Sequence, residues 1–167
     1  TAQGAFNAAC WAAYQHLPMP VIFLCEDNGI GISVRTPGGW VEANFAHRPA
    51  LHYVSCDGVD LIDALRGCEE AVGYARARRK PVFLHMRTVR LMGHGGADVE
   101  ATYSALKDIE ANEAQDPLLH SARILIEHAG MSREEIVARY EDMRARVERV
   151  AAEALTKPKL ETSAQIM

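Results

Sequence analysis

The chain has 167 residues, 49% of them hydrophobic and few aromatic, with a formal net charge of −4. That length holds one domain with an aliphatic core and is short for two. The slight negative charge leaves no basic field for nucleic acid, no apolar run could span a bilayer and no signal peptide is read, so neither nucleic acid nor a membrane is expected as partner.

Thr1-Ala2-Gln3-Gly4 carries no initiator methionine and runs straight into a helical pattern, as if cut from a longer chain. Gln3 to His16 is small and apolar, which predicts a helix able to lie close against a sheet. Leu17-Pro18-Met19-Pro20 ends it. Val21 to Cys25 is an unbroken apolar run, the pattern of a strand covered on both faces. Glu26-Asp27-Asn28-Gly29 follows at once and sets polar oxygens at the strand's carboxyl end, where open α/β sheets bind ligands. Asn28 offers a neutral carbonyl oxygen, and hard cations such as magnesium take oxygen ligands together with substrate phosphates. Taken alone, the same residues are more commonly an Asn-Gly turn.

From Ile32 to Arg48 no period is visible, and a loop that long is expected to be functional or packed against a partner. Val54-Ser55-Cys56 predicts a short strand. Asp60 then caps a helix with Leu61, Leu65, Cys68, Val72 and Ala75 on one face, which closes in Arg76, Arg78, Arg79 and Lys80 and stops at Pro81. Pro81 to Thr88 is the next strand, and Arg90 to Asp98 a glycine-rich loop around His94. Asp116 caps a helix running to Ala129 before Gly130. Ser132 and Glu135 form a capping box that opens a last helix with a seam of Ile136, Tyr140, Met143, Val147, Val150 and Ala154, expected to pack on the domain or on a partner. Lys157-Pro158-Lys159 begins a linker-like tail.

The order of strands and helices predicts parallel crossovers, hence a three-layer α/β fold: a mostly parallel sheet flanked by helices, with a C-terminal helical extension. Residues 1–115 form the sheet part and residues 116–167 a helical extension of the same domain. Cys10, Cys25, Cys56 and Cys68 lie far apart without a C-x-x-C pair and read as reduced core residues of a cytoplasmic protein. His94 is the best single candidate for chemistry: it lies on the same edge of the sheet as Asn28, and a neutral imidazole can donate to a phosphate oxygen or shuttle a proton. An idle surface histidine explains it equally well. His85 alternates along a strand and reads as packed. No Gly-x-Gly-x-x-Gly, Walker loop or Gly-x-Ser-x-Gly elbow is present.

Two of these segments resemble one family. Glu26-Asp27-Asn28-Gly29-Ile30-Gly31 is similar to the second half of the Gly-Asp-Gly … Asn-Asn signature of thiamine-diphosphate enzymes. Arg90-Leu91-Met92-Gly93-His94-Gly95-Gly96-Ala97-Asp98 resembles the active-site loop of the alpha subunit of 2-oxo acid dehydrogenases, the decarboxylating components of the pyruvate and branched-chain complexes. The resemblance covers about the first two-thirds of the chain in unbroken order. It implies a partial thiamine-diphosphate-binding fold and oxidative decarboxylation of a small 2-oxo acid with acyl transfer to lipoamide. It also implies thiamine diphosphate and Mg2+ as cofactors, with Asn28 ligating the metal through its side-chain oxygen and Ile30 through its backbone carbonyl. His94 would contact the diphosphate side of the cofactor and border the channel for the lipoyl arm. The implied partners are a beta subunit or fused beta-like half and the lipoyl domain of the acyltransferase component, within a heterotetramer or fused-chain dimer.

Departures accompany the likeness. The family's Gly-Asp-Gly would lie immediately before Thr1, so these 167 residues alone are expected to be inactive and to bind thiamine diphosphate weakly or not at all. The first histidine of the family loop is Met92 here. The position of the serine phosphorylated in some mammalian relatives is Gly95, which cannot carry that switch. A transketolase-like or other thiamine-diphosphate enzyme, and a non-catalytic α/β assembly domain, are the rival expectations. The second would be favoured if Asn28 and His94 lay on opposite edges of the sheet.

Overall fold

The computed structural model describes residues 2–165. These fall into two compact units, one ending at Ser121 and the other beginning at Ala122. The first holds α1 (Ala2–Tyr14), β1 (Ile22–Asp27), the short strands β2 (Ile30–Gly31) and β3 (Val34–Arg35), α2 (Trp40–Phe45), β4 (His52–Asp57), α3 (Leu61–Arg78), β5 (Val82–Arg87) and α4 (Leu106–Glu113). Helix α5 (Pro117–Ala129) crosses the division, and α6 (Arg133–Leu155) belongs to the second unit.

Three strands make the main sheet in the order β1-β5-β4, all parallel, as the sequence predicts. The apolar β5 takes the centre, where both neighbours hydrogen-bond to it. Its side chains alternate between two cores. Val82 and Leu84 pack with Val54 and Cys56 against Ala71 and Ala75 of α3. Phe83 points to the opposite face, where it meets Phe6 of α1 and Leu51. Helices therefore flank both faces, which is the three-layer arrangement expected, but β1 lies at the edge of the sheet with Leu24 exposed, so its apolar run is not covered on both faces as predicted. Small residues set the spacing on the α3 side. A Cβ added at Gly67 would lie 2.8 Å from both Cβ and Sγ of Cys56, so the helix reaches the sheet only because that position has no side chain.

The local end signals hold. Asp60 accepts from the backbone N–H groups of Ile62 (2.8 Å) and Asp63 (3.3 Å) at the start of α3. Asp116 accepts from Leu118 N–H at 2.8 Å at the start of α5. That helix ends at Gly130, whose φ of +67° lets Met131 N–H turn back to Leu125 carbonyl at 3.2 Å. Ser132 and Glu135 exchange the reciprocal bonds of a capping box. Along α6 the seam residues Tyr140, Met143, Val147 and Val150 are exposed. All four cysteines are free, with Cys56 buried.

One stretch departs from expectation. Residues 32–48 are not an unstructured loop: they hold part of the β2–β3 hairpin and the six-residue α2. Helix α2 has no side-chain cap and no buried residue. It is anchored instead by Phe45, whose ring stacks on Phe83 (centroids 4.1 Å apart, 7° between planes) and meets Phe6 edge-on at 5.4 Å. Six residues are too few for a visible period, and the contact that fixes them is distant in sequence.

Phe83 therefore ties α1, α2 and the central strand together. Phe83→Ala is expected to lower the unfolding free energy by about 3–5 kcal/mol, read from urea denaturation. Phe83→Leu, which keeps most of the volume, should cost well under half of that.

Candidate functional site

The three parallel strands end level with one another. Asp27 of β1 pairs with Arg87 of β5, and Arg87 with Asp57 of β4, so an acid–base–acid row crosses the carboxyl edge of the sheet. The Arg87 guanidinium bonds the Asp57 carboxylate and also donates to Gln115 Oε1 at 3.2 Å. Partial burial works against the charge of Asp57, but Arg87 and the N–H of Val59 outweigh it and hold the carboxyl below the usual range. Above this edge opens a cleft of about 290 Å3, lined among others by Asn28, Ile30, Arg35, Arg87, Arg90 and Asp108. A second hollow shares Asn28, Thr88, Val89 and Arg90 with it.

Beyond β1 the backbone makes two linked turns. Asp27 Oδ1 accepts from Gly29 N–H at 2.9 Å, and Asn28 Oδ1 accepts from Ile30 N–H at 3.1 Å. Gly29 has a φ of +71°, which glycine adopts without strain. Asn28 is thus the turn residue that its sequence suggests, and its amide oxygen keeps a second lone pair for another partner. The other carboxylate oxygen of Asp27 faces inward, where it meets Nε2 of His85 at 3.0 Å. Nδ1 of the same ring lies 2.6 Å from the hydroxyl of Tyr53. Burial pushes the Tyr53 hydroxyl pKa up, so it stays protonated and able to donate.

Arg90 holds the loop beyond β5. Its guanidinium donates to the Ile32 carbonyl at 2.6 Å and to the Tyr103 hydroxyl at 2.8 Å, and lies 3.5 Å from Glu100. Ile32 has a φ of +57°, unfavourable for a β-branched residue, and Arg90 grips that carbonyl. The Arg90 Nε is buried and has no partner among the described residues. Farther along, Asp98 Oδ2 accepts from the Tyr103 hydroxyl and from His94 N–H, both at 2.6 Å. Those two bonds hold the Asp98 carboxyl below its ordinary range, and the same carboxylate pushes the Tyr103 hydroxyl up. A Cβ at Gly93 would sit 2.5 Å from the Asp98 carbonyl, so the loop closes tightly there.

Asn28 and Ile30, two of the residues singled out in the sequence, line one cleft. His94 lies on the loop that leaves β5, hence at the same edge of the sheet, but its side chain is exposed and it is not among the residues lining that cleft. No cluster of three or more His, Cys, Asp or Glu at metal spacing occurs among the described residues. Sequence reasoning gave Arg90 and Asp98 no role of their own within the glycine-rich loop, read His85 as packed, and assigned nothing to Tyr53 or Tyr103. Hints existed: an ionisable residue in the middle of an apolar strand (His85) and an arginine beside a glycine-rich loop.

Comparison with known proteins finds a family that the chain matches. The model of the family described as "Dehydrogenase E1 component" matches residues 1–163. The chain is 27% identical over 159 residues to the mitochondrial pyruvate dehydrogenase E1 component subunit alpha of Dictyostelium discoideum, covering 92% of this chain and 40% of that protein. It is 29% identical over 152 residues to the pyruvate dehydrogenase E1 component subunit alpha of Zymomonas mobilis, covering 88% and 41%. It is also 29% identical over 138 residues to the 2-oxoisovalerate dehydrogenase subunit alpha of Bacillus subtilis, covering 80% and 41%. The chain spans about two-fifths of the length of these relatives.

The Asp98 contacts carry a pH dependence of definite sign. Because the folded carboxyl titrates below its ordinary value of 3.8, its contribution to loop order is complete above that value and is lost as pH falls through the lower folded one. Asp98→Asn at neutral pH should raise hydrogen exchange at the His94 amide severalfold and leave the β5 amides unchanged, as read by exchange NMR.

Proposed function

The chain belongs to the dehydrogenase E1 component family, and from that premise we propose that it forms the alpha-subunit part of a 2-oxo acid dehydrogenase. The whole enzyme would decarboxylate a small 2-oxo acid oxidatively in the cytoplasm and pass the acyl group to lipoamide. Its partners would be a beta subunit or fused beta-like half and the lipoyl domain of an acyltransferase component. Bound thiamine diphosphate would supply the electron sink for loss of carbon dioxide.

In this proposal Asn28 holds Mg2+ through its side-chain oxygen and Ile30 through its backbone carbonyl, while His94 contacts the diphosphate side and borders the lipoyl channel. The observation that carries it is the donor chemistry of the cleft. Asn28 and Ile30 offer neutral oxygens suited to a hard cation. In the same cleft Arg35, Arg87 and Arg90 supply positive charge suited to a diphosphate. Asp27 also borders the cleft, with each of its carboxylate oxygens accepting one hydrogen bond from within the fold. Asn28 and the loop bearing His94 also leave the same edge of the sheet, which weighs against a purely structural assembly domain.

In the assembled enzyme that carries this chain, Asn28→Ala should abolish Mg2+-dependent binding of thiamine diphosphate by calorimetry; an unchanged affinity refutes the assignment. Ile30→Val should leave that affinity intact, because the group assigned there belongs to the backbone.

A further inference from the structure

We infer that Tyr53 and His85 are positioning residues that act through Asp27 to hold Asn28 in place for its cation, an inference that rests on the assignment of Asn28 above. The three side chains share one face of the sheet. Tyr53 pairs with Phe83, Asp27 with Arg87, and His85 lies between those two positions on the central strand. Their bonds run in series: Tyr53 hydroxyl to His85 Nδ1 at 2.6 Å, His85 Nε2 to Asp27 Oδ2 at 3.0 Å, and Gly29 N–H to Asp27 Oδ1 at 2.9 Å. The direction of each follows from its partners. A carboxylate oxygen only accepts, so Nε2 carries the hydrogen. A neutral ring then leaves Nδ1 to accept, and the Tyr53 hydroxyl donates to it. Every polar atom in the row is used once and none is left in conflict.

The consequence falls on Asn28. Asp27 is anchored on its inner oxygen by the centre of the sheet and grips the Gly29 amide with its outer one. The peptide between them carries the Asn28 side chain, whose own oxygen is steered by Ile30 N–H at 3.1 Å. A free Asx turn at a strand end would sample several poses, whereas this one is fastened to β5 and β4. His85 and Asp27 are mostly sheltered, with side-chain exposures of 16% and 25%, so water does not readily replace the bond between them. Groups hydrogen-bonded directly to a metal ligand typically change metal affinity about 10–100-fold when removed, and His85 stands one bond farther back, so an effect at the lower end of that range is expected.

The test uses the assembled enzyme, with Mg2+-dependent binding of thiamine diphosphate read by calorimetry, Mn2+ binding read by electron paramagnetic resonance, and thermal unfolding read alongside. His85→Ala should weaken both affinities about tenfold or more. His85→Gln, whose amide can still donate to Asp27, should recover most of that loss. Tyr53→Phe, which removes one hydroxyl and keeps the ring, should give a smaller loss of the same kind and decides the matter if His85→Ala does not fold. Affinities unchanged in His85→Ala, or in Tyr53→Phe where only that variant folds, overturn the inference, as does a loss that His85→Gln fails to relieve. Asn28→Ala separates the two levels. If it abolishes binding while the His85 and Tyr53 variants bind normally, the positioning role alone fails; if it too binds normally, the cation assignment fails with it.

Discussion

The level ending of three parallel strands is the constraint on which the rest depends. Register in such a sheet is set by which residues face which core, and a slip of one position would send Phe83 into the α3 layer and Val82 into the aromatic one. The same slip would carry His85 to the face opposite Tyr53 and Asp27. The packing that fixes the core and the geometry of the candidate site are therefore one choice made once. Aromatic rings enforce it on one side and alanines and Gly67 on the other.

The carboxyl edge is rich in acids that are already committed. Asp27 is shared between His85 and Gly29, Asp57 is held by Arg87 and Val59, and Asp98 binds Tyr103 and His94. Each of these carboxylates is bonded within the fold. Asn28 and Ile30 add neutral oxygens to a cleft that Asp27, Glu100 and Asp108 also border. In the proposed role, a cation that arrives with a diphosphate would already carry its countercharge, so the neutral oxygens of Asn28 and Ile30 would suit it.

What could be read from the residues alone was what is decided locally. The caps at Asp60, Asp116 and Ser132, the stop at Gly130 and the apolar strands all announce themselves within a few positions. The family likeness added Asn28, Ile30 and His94, because those sit in compact motifs. Hidden were the features whose partners are far apart. Helix α2 depends on a ring 38 positions away, in Phe83, and too short a stretch to show a period. The Tyr53–His85–Asp27 row joins residues separated by 32 and 58 positions, which only the strand order β1-β5-β4 brings side by side. Reading His85 as merely packed was reasonable for a residue judged by its neighbours in sequence.

The tip of the β2–β3 hairpin leaves the fold with unspent capacity. Ile32 occupies a left-handed conformation that costs a branched side chain on the order of 1–3 kcal/mol, and its side chain points largely to solvent. Nothing in the contacts described requires isoleucine there: Arg90 grips the backbone carbonyl, which every amino acid possesses. Selection for heat tolerance would find this position early, because glycine or asparagine could relax the tip while leaving the arginine's hold untouched.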